Sequence, residues 1–241
     1  MKKRRLFSLF LSFALLLPLF SLTSADAYED FTLDAKAGLL IEADTGEILY
    51  EKNAHQENYP ASLTKVMVAL LVFEAIDEGK IALTDSVTAT ESAFEGLSSD
   101  GSTANIVPGE TMTVEQLLNC MLIVSANEAC NILGETLYGS VDAFVARMNE
   151  RATELGCEHT HFANATGLHN SQHYTTAWDL YLITREALKH DKFMEICNSK
   201  SYPVPATNMT DKAARPSSFH RGRCSPCCRR WRAPRTPIPS Q

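Results

Sequence analysis

Two short apolar runs, residues 37–43 and 47–50, flank Asp44-Thr45-Gly46 and predict a β-hairpin, because turn-forming residues separate two stretches of strand length. A longer apolar run follows Ser62, passes through Phe73 and stops near Gly79. It predicts a helix with Ser62 as its N-cap and the glycine as its end. Residues 81–102 are polar and rich in Ser, Thr and Gly, and they predict loop with short strand. Thr113 and Gln116 have the spacing of a capping box ahead of the apolar run 117–124. Ser125 and Glu128 repeat that spacing and predict a second box, opening a helix through Leu137 that Gly139 ends. Val141, Phe144, Val145, Met148 and Leu155 form the apolar stripe of a third helix. Residues 157–173 have no period, and Asn164 and Gly167 mark a turn within them. Thr176 and Asp179 then cap a helix to Leu188, and residues 202–205 read as extended. Strand, strand, helix and then three helices without a strand between them predict an α+β chain. Its sheet body would carry an inserted all-helical lobe at about residues 85–165.

The first 27 residues change this picture. Lys2-Lys3-Arg4-Arg5 precede the apolar residues 6–22 and a small-residue cleavage site, which is the pattern of a secretory signal peptide cut after Ala27. The folded domain is therefore expected over residues 28–212 of an exported protein. No later segment is apolar for the ~20 residues a membrane span needs, so no membrane anchor is expected in this chain. The hydrophobic content of 45% suits one globular core. From residue 28 to 212, 11 Lys and Arg stand against 28 Asp and Glu, which argues against nucleic acid or anionic lipid as partner. Residues 213–241 hold seven arginines and no acid. That break predicts an anomalous, disordered basic tail, with a shifted reading frame or C-terminal truncation as its origin. Seven cysteines in an exported chain raise the question of disulfides, but four are isolated in core-like stretches and three crowd the tail. His220, Cys224 and Cys227 lack a second ligand pair, so neither metal nor cofactor is expected.

The candidate chemistry centres on Ser62 and Lys65. A cation three residues after an N-cap is disfavoured by the helix dipole, so local stability does not select Lys65. The same spacing lets its amine reach the Ser62 hydroxyl, as nucleophilic catalysis requires. An ordinary lysine titrates near ~10.4 and must be pushed down to act as a base, which burial and a helix N-terminus both do. His169 and His173 could suggest a proton-transfer pair, but Ser/Lys chemistry does not need them, and surface or packing roles are expected.

With Ser62-Leu63-Thr64-Lys65, Ser125-Ala126-Asn127, Asn164-Ala165-Thr166-Gly167-Leu168 and 174–179 in this order, the chain resembles the serine D-alanyl-D-alanine carboxypeptidases, the low-molecular-mass penicillin-binding proteins. The resemblance runs from about residue 34 to 209. It implies a β-lactamase/transpeptidase-like fold, its sheet incomplete because C-terminal strands are missing, and a place in the periplasmic or extracytoplasmic cell-wall space. It also implies removal of the terminal D-alanine from peptidoglycan stem peptides through an acyl-enzyme on Ser62, with β-lactams as acylating inhibitors. Lys65 would take the serine proton, Ser125 would relay a proton to the leaving amine, and Asn127 would orient the substrate amide and Lys65. Ser125 is also expected to cap a helix with Glu128, which would compete with that relay. The backbone N–H of Ser62 would form half of an oxyanion hole, a donor worth about 2.7–4 kcal/mol of barrier. The family's other half lies on a Lys-Thr-Gly strand, and no Lys-Thr-Gly occurs in this sequence, so turnover by the chain as written is not implied. The enzymatic rival is a class A-like β-lactamase, which would want Ser-Asp-Asn where Ala126 stands and a glutamate that residues 162–173 lack. The non-enzymatic rival is an inactive exported penicillin-binding fragment.

Overall fold

The computed structural model describes residues 33–209 and the paired residues 219–220. The expected signal peptide and nearly all of the expected tail lie outside the described residues. Residues 36–209 begin with the expected hairpin, β1 (Gly38–Ile41) paired antiparallel with β2 (Ile48–Lys52). Gly46 supplies the positive φ of 76° that closes its turn.

Next comes α1 (Lys65–Asp77), preceded by a 3-10 turn at Ala61–Thr64. Met67 to Phe73 are all buried, so the helix is apolar on every side and sits at the centre of the core. It contacts α2 (Val114–Val124), α3 (Asn127–Tyr138), α4 (Val141–Glu154) and α5 (Ala177–Ala187). A half-buried ion pair adds to this packing: Arg151 on α4 donates from Nη2 to Glu74 Oε1 on α1 at 2.7 Å.

Thr113 caps α2 as expected, with both halves of the box made: Gln116 N–H donates to Thr113 Oγ1, and Thr113 N–H donates to Gln116 Oε1. Two three-residue strands, β3 (Ser86–Thr88) and β4 (Thr111–Thr113), pair ahead of that cap. At α5 only half of the expected box forms. Thr176 Oγ1 accepts from Asp179 N–H, while the Asp179 carboxylate accepts from His159 N–H and the Thr160 hydroxyl. A short helix, α6 (Asp191–Asn198), was not legible in the sequence. It buries Phe193 and Ile196, one turn apart, and contacts α2. Strand β5 (Ser201–Tyr202) pairs antiparallel with β6 (Phe219–His220), so the tail, expected to lack strand structure, supplies two paired residues. Among the described residues the sheet component is therefore three two-stranded ribbons.

No helix among the described residues is long and apolar enough to cross a membrane. The contact of α3 with α4 depends on Gly134, where an added Cβ would lie 2.4 Å from Cδ1 of the fully buried Phe144. Gly134→Ala is therefore expected to destabilise the fold by about 1–2 kcal/mol, the overpacking outweighing the gain in helix propensity. Urea denaturation measures this; a stabilised variant would mean that the two helices part at little cost.

Candidate active site

The turn at residues 61–64 corrects the expected cap at Ser62. The N-cap of α1 is Thr64, and neither Ser62 nor Thr64 bonds its side chain to a helix N–H. The physical reason is the 3-10 geometry, in which side chains three apart eclipse one another. Ser62 therefore lies directly over Lys65, the first residue of α1, and Lys65 Nζ is 3.4 Å from Ser62 Oγ.

Ser125 is the second correction. It does not open α3, whose N-cap is Ala126 without a side-chain bond. Ser125 instead ends α2 in a left-handed conformation, φ 64°, uncommon for a residue with a Cβ. That bend frees its hydroxyl from capping, and Ser125 Oγ donates to Ser62 Oγ at 2.9 Å. Glu128, the expected partner in the box, is buried and turned elsewhere. Its Oε1 accepts from the Thr103 hydroxyl, Ala104 N–H and Ile106 N–H, fastening residues 103–106 to the start of α3.

Asn127 is the first residue of α3, and its Oδ1 accepts from Lys65 Nζ at 2.8 Å. A second acceptor for that amine, the Thr166 carbonyl at 2.7 Å, was not foreseen as part of the site. The turn carrying it was legible: Asn164 Oδ1 accepts from Thr166 N–H, the Thr166 hydroxyl and Gly167 N–H, and Gly167 has φ 86°. What the sequence could not display is that this turn folds onto the serine. A Cβ on Gly167 would lie 1.9 Å from the Ala61 carbonyl oxygen, so only glycine permits that approach.

Lys65 is 3% exposed, and burial pushes its amine below the ordinary lysine range. Negative charge on Cys130 or Glu128 would pull the other way, less strongly. The Cys130 thiol is itself pushed up to about 12 by burial, so at ordinary pH it is uncharged and gives Lys65 no support as a cation. Beside Asn127 a cavity of about 280 Å³ opens, lined by Ser98, Gly101, Ser102, Thr103 and Ile106. A larger apolar groove of about 720 Å³ between β1 and α5 contains none of the four candidate residues.

Of the two histidines, His169 lies edge-on to Tyr59 at the surface, and His173 is buried against Phe162. Among the described residues no group of three or more His, Cys, Asp or Glu is placed to hold a metal ion.

A family model described as D-alanyl-D-alanine carboxypeptidase matches residues 23–214. The chain belongs to the D-alanyl-D-alanine carboxypeptidase family. Among the relatives, carboxypeptidase DacF of Bacillus subtilis is 43% identical over 158 residues, which is 66% of this chain and 40% of the relative. DacA of Escherichia coli is 34% identical over 160 residues, 65% of this chain and 40% of the relative. The chain thus spans about 40% of the length of these curated carboxypeptidases. Among solved structures, penicillin binding protein 5 of Haemophilus influenzae aligns with a TM-score of 0.71 at 29% identity, covering 79% of this chain and 54% of that one. The α+β fold is accordingly that of the penicillin-binding carboxypeptidases and transpeptidases.

Proposed function

We propose that the chain is a serine D-alanyl-D-alanine carboxypeptidase, acting on peptidoglycan stem peptides in the extracytoplasmic cell-wall space, with Ser62 as nucleophile and Lys65 as its base. The observation that carries this reading is how the Lys65 amine is surrounded. A neutral amine has two hydrogens and one lone pair. Its two short contacts, to Asn127 Oδ1 at 2.8 Å and the Thr166 carbonyl at 2.7 Å, are to acceptors and use both hydrogens. With both hydrogens so used, the lone pair is left for Ser62 Oγ, 3.4 Å away, whose proton it can receive.

As the Ser62 oxygen attacks the carbonyl between two D-alanines, its proton would pass to Lys65 Nζ. Ser125, already hydrogen-bonded to Ser62 Oγ, would carry a proton on to the leaving D-alanine amine. Water would then attack the acyl-enzyme and release the shortened stem peptide. Asn127 would hold Lys65 with Oδ1 while its Nδ2 faces the cleft near Gly101 and is free to orient the substrate amide. β-Lactams would acylate the same oxygen. Supporting the domain reading, α2, α3 and α4 follow one another without an intervening strand and carry Ser125 and Asn127 to the serine. We therefore place the carboxypeptidase domain at residues 28–212 with its helical lobe at about 85–165.

A fluorescent penicillin tests this reading. Covalent label on the wild-type chain and none on Ser62→Ala is the expected result; equal labelling of both would place the nucleophile elsewhere, and no label on either would overturn the reading.

A further inference from the structure

His173 belongs to none of the steps just described, yet it is 2% exposed and both ring nitrogens are engaged. Nδ1 lies 3.1 Å from the backbone nitrogen of Ala163. A backbone N–H only donates, so Nδ1 carries no proton and accepts. In a neutral imidazole the hydrogen is then on Nε2. Nε2 lies 2.7 Å from Thr64 Oγ1 and donates to it. The hydrogen in that bond comes from the ring, so the Thr64 hydroxyl keeps its own and donates it to the Ala61 carbonyl oxygen at 2.8 Å. Three hydrogen bonds thus run in one sense, from Ala163 N–H through the ring and Thr64 to the residue before the nucleophile.

That end point is strained. Ala61 has φ 49°, in the left-handed region that a residue with a Cβ enters at a cost. Its carbonyl accepts from the Thr64 hydroxyl and is approached by Gly167 so closely that no Cβ could fit there. Turning Ala61 back to a right-handed conformation would swing that carbonyl out of the Thr64 bond and rotate the Ser62 backbone with it. Burial, with a smaller contribution from the neighbouring His161, holds the imidazole down to about 4, so the ring stays neutral and the tautomer is preserved in ordinary buffers.

We propose that His173, acting through Thr64, is a positioning residue: it fixes the left-handed turn at Ala61 and thereby keeps the Ser62 hydroxyl over the Lys65 amine. The proposal rests on the reading of Ser62 as nucleophile. No proton moves along the relay during the reaction; its donors stay as they are, and only their direction matters.

The test uses the full chain with Thr64→Val, which keeps shape but loses both hydrogen bonds, Thr64→Ser, which keeps them, and His173→Phe, together with the Val/Phe double variant. Two quantities are read: amide exchange over residues 61–65, and the rate of fluorescent-penicillin labelling separated into non-covalent affinity and acylation rate. Thr64→Val and His173→Phe should each speed exchange and slow acylation by about 10–100-fold while leaving the non-covalent affinity unchanged. Thr64→Ser should retain the wild-type values, and the double variant should be no slower than the worse single, because the relay acts as one unit. Wild-type exchange over 61–65 in Thr64→Val would overturn the proposal, as would a double variant slower by the product of the singles. Should the phenylalanine variant not fold, the valine and serine variants decide the question. If the wild-type chain takes no label, the carboxypeptidase reading fails and the exchange comparison still decides whether His173 fixes the turn.

Discussion

Lys65→Met is expected to slow penicillin acylation of Ser62 by about 10²–10⁴-fold, the range that a positioned general base contributes. Methionine fills the buried space of the lysine stem but has no lone pair basic enough to take the serine proton. Lys65→Arg should be as slow, because a guanidinium is protonated at every accessible pH and points a hydrogen at the serine instead of accepting one. The two variants separate chemistry from packing. If the lysine served only as a buried donor to Asn127 Oδ1 and the Thr166 carbonyl, arginine would restore much of what methionine loses. Comparable loss in both, read as labelling rate per folded molecule, supports the base; fast labelling of Lys65→Arg would argue against it.

Among the described glycines, Gly167→Ala should be the most damaging change. The residue sits at φ 86°, and the new Cβ would lie 1.9 Å from the Ala61 carbonyl oxygen and 3.0 Å from Ser62 N. Backbone strain and overpacking together predict a loss of about 2–4 kcal/mol. Neither neighbour is a flexible side-chain end that could swing aside. The turn must retreat, taking the Thr166 carbonyl away from Lys65, so acylation should fall with stability. Gly139 provides the control: it has φ 80°, but a Cβ there meets nothing within 4 Å. Gly139→Ala should therefore cost only the backbone term, about 1–2 kcal/mol, and leave labelling intact. Thermal melts of the two variants make the comparison. Equal losses would show that the approach of Gly167 to the serine turn is looser than its geometry implies.

What could be seen in the sequence follows the range of the interaction. The Thr113 box was legible because both of its hydrogen bonds close within three residues. Ser62 and Ser125 each stand as a serine ahead of a helix, yet neither caps the helix that follows it. Their hydroxyls meet each other across 63 positions of sequence, and no local pattern encodes that. The three-residue spacing of Ser62 and Lys65 was nonetheless visible, since it lies within one turn. The Asn164 to Gly167 turn was visible as a turn but not as a wall of the site. His173 looked like an ordinary loop histidine because its burial depends on Thr64, 109 residues earlier. Helix α6 escaped because eight residues with two buried side chains barely establish a period. Strand β3 falls within the segment read as loop with short strand, whereas β4, three residues long, carries too little alternation to separate from loop.

The central claim is that Lys65 is uncharged when Ser62 reacts, and the pH dependence of Ser62 acylation tests it most directly. Labelling rates measured across the alkaline limb, with the fold monitored in parallel, should rise to a plateau with a midpoint below the 10.5 of an ordinary lysine, because burial lowers that amine. A rate still climbing through 10.5, as an exposed lysine would give, contradicts the account.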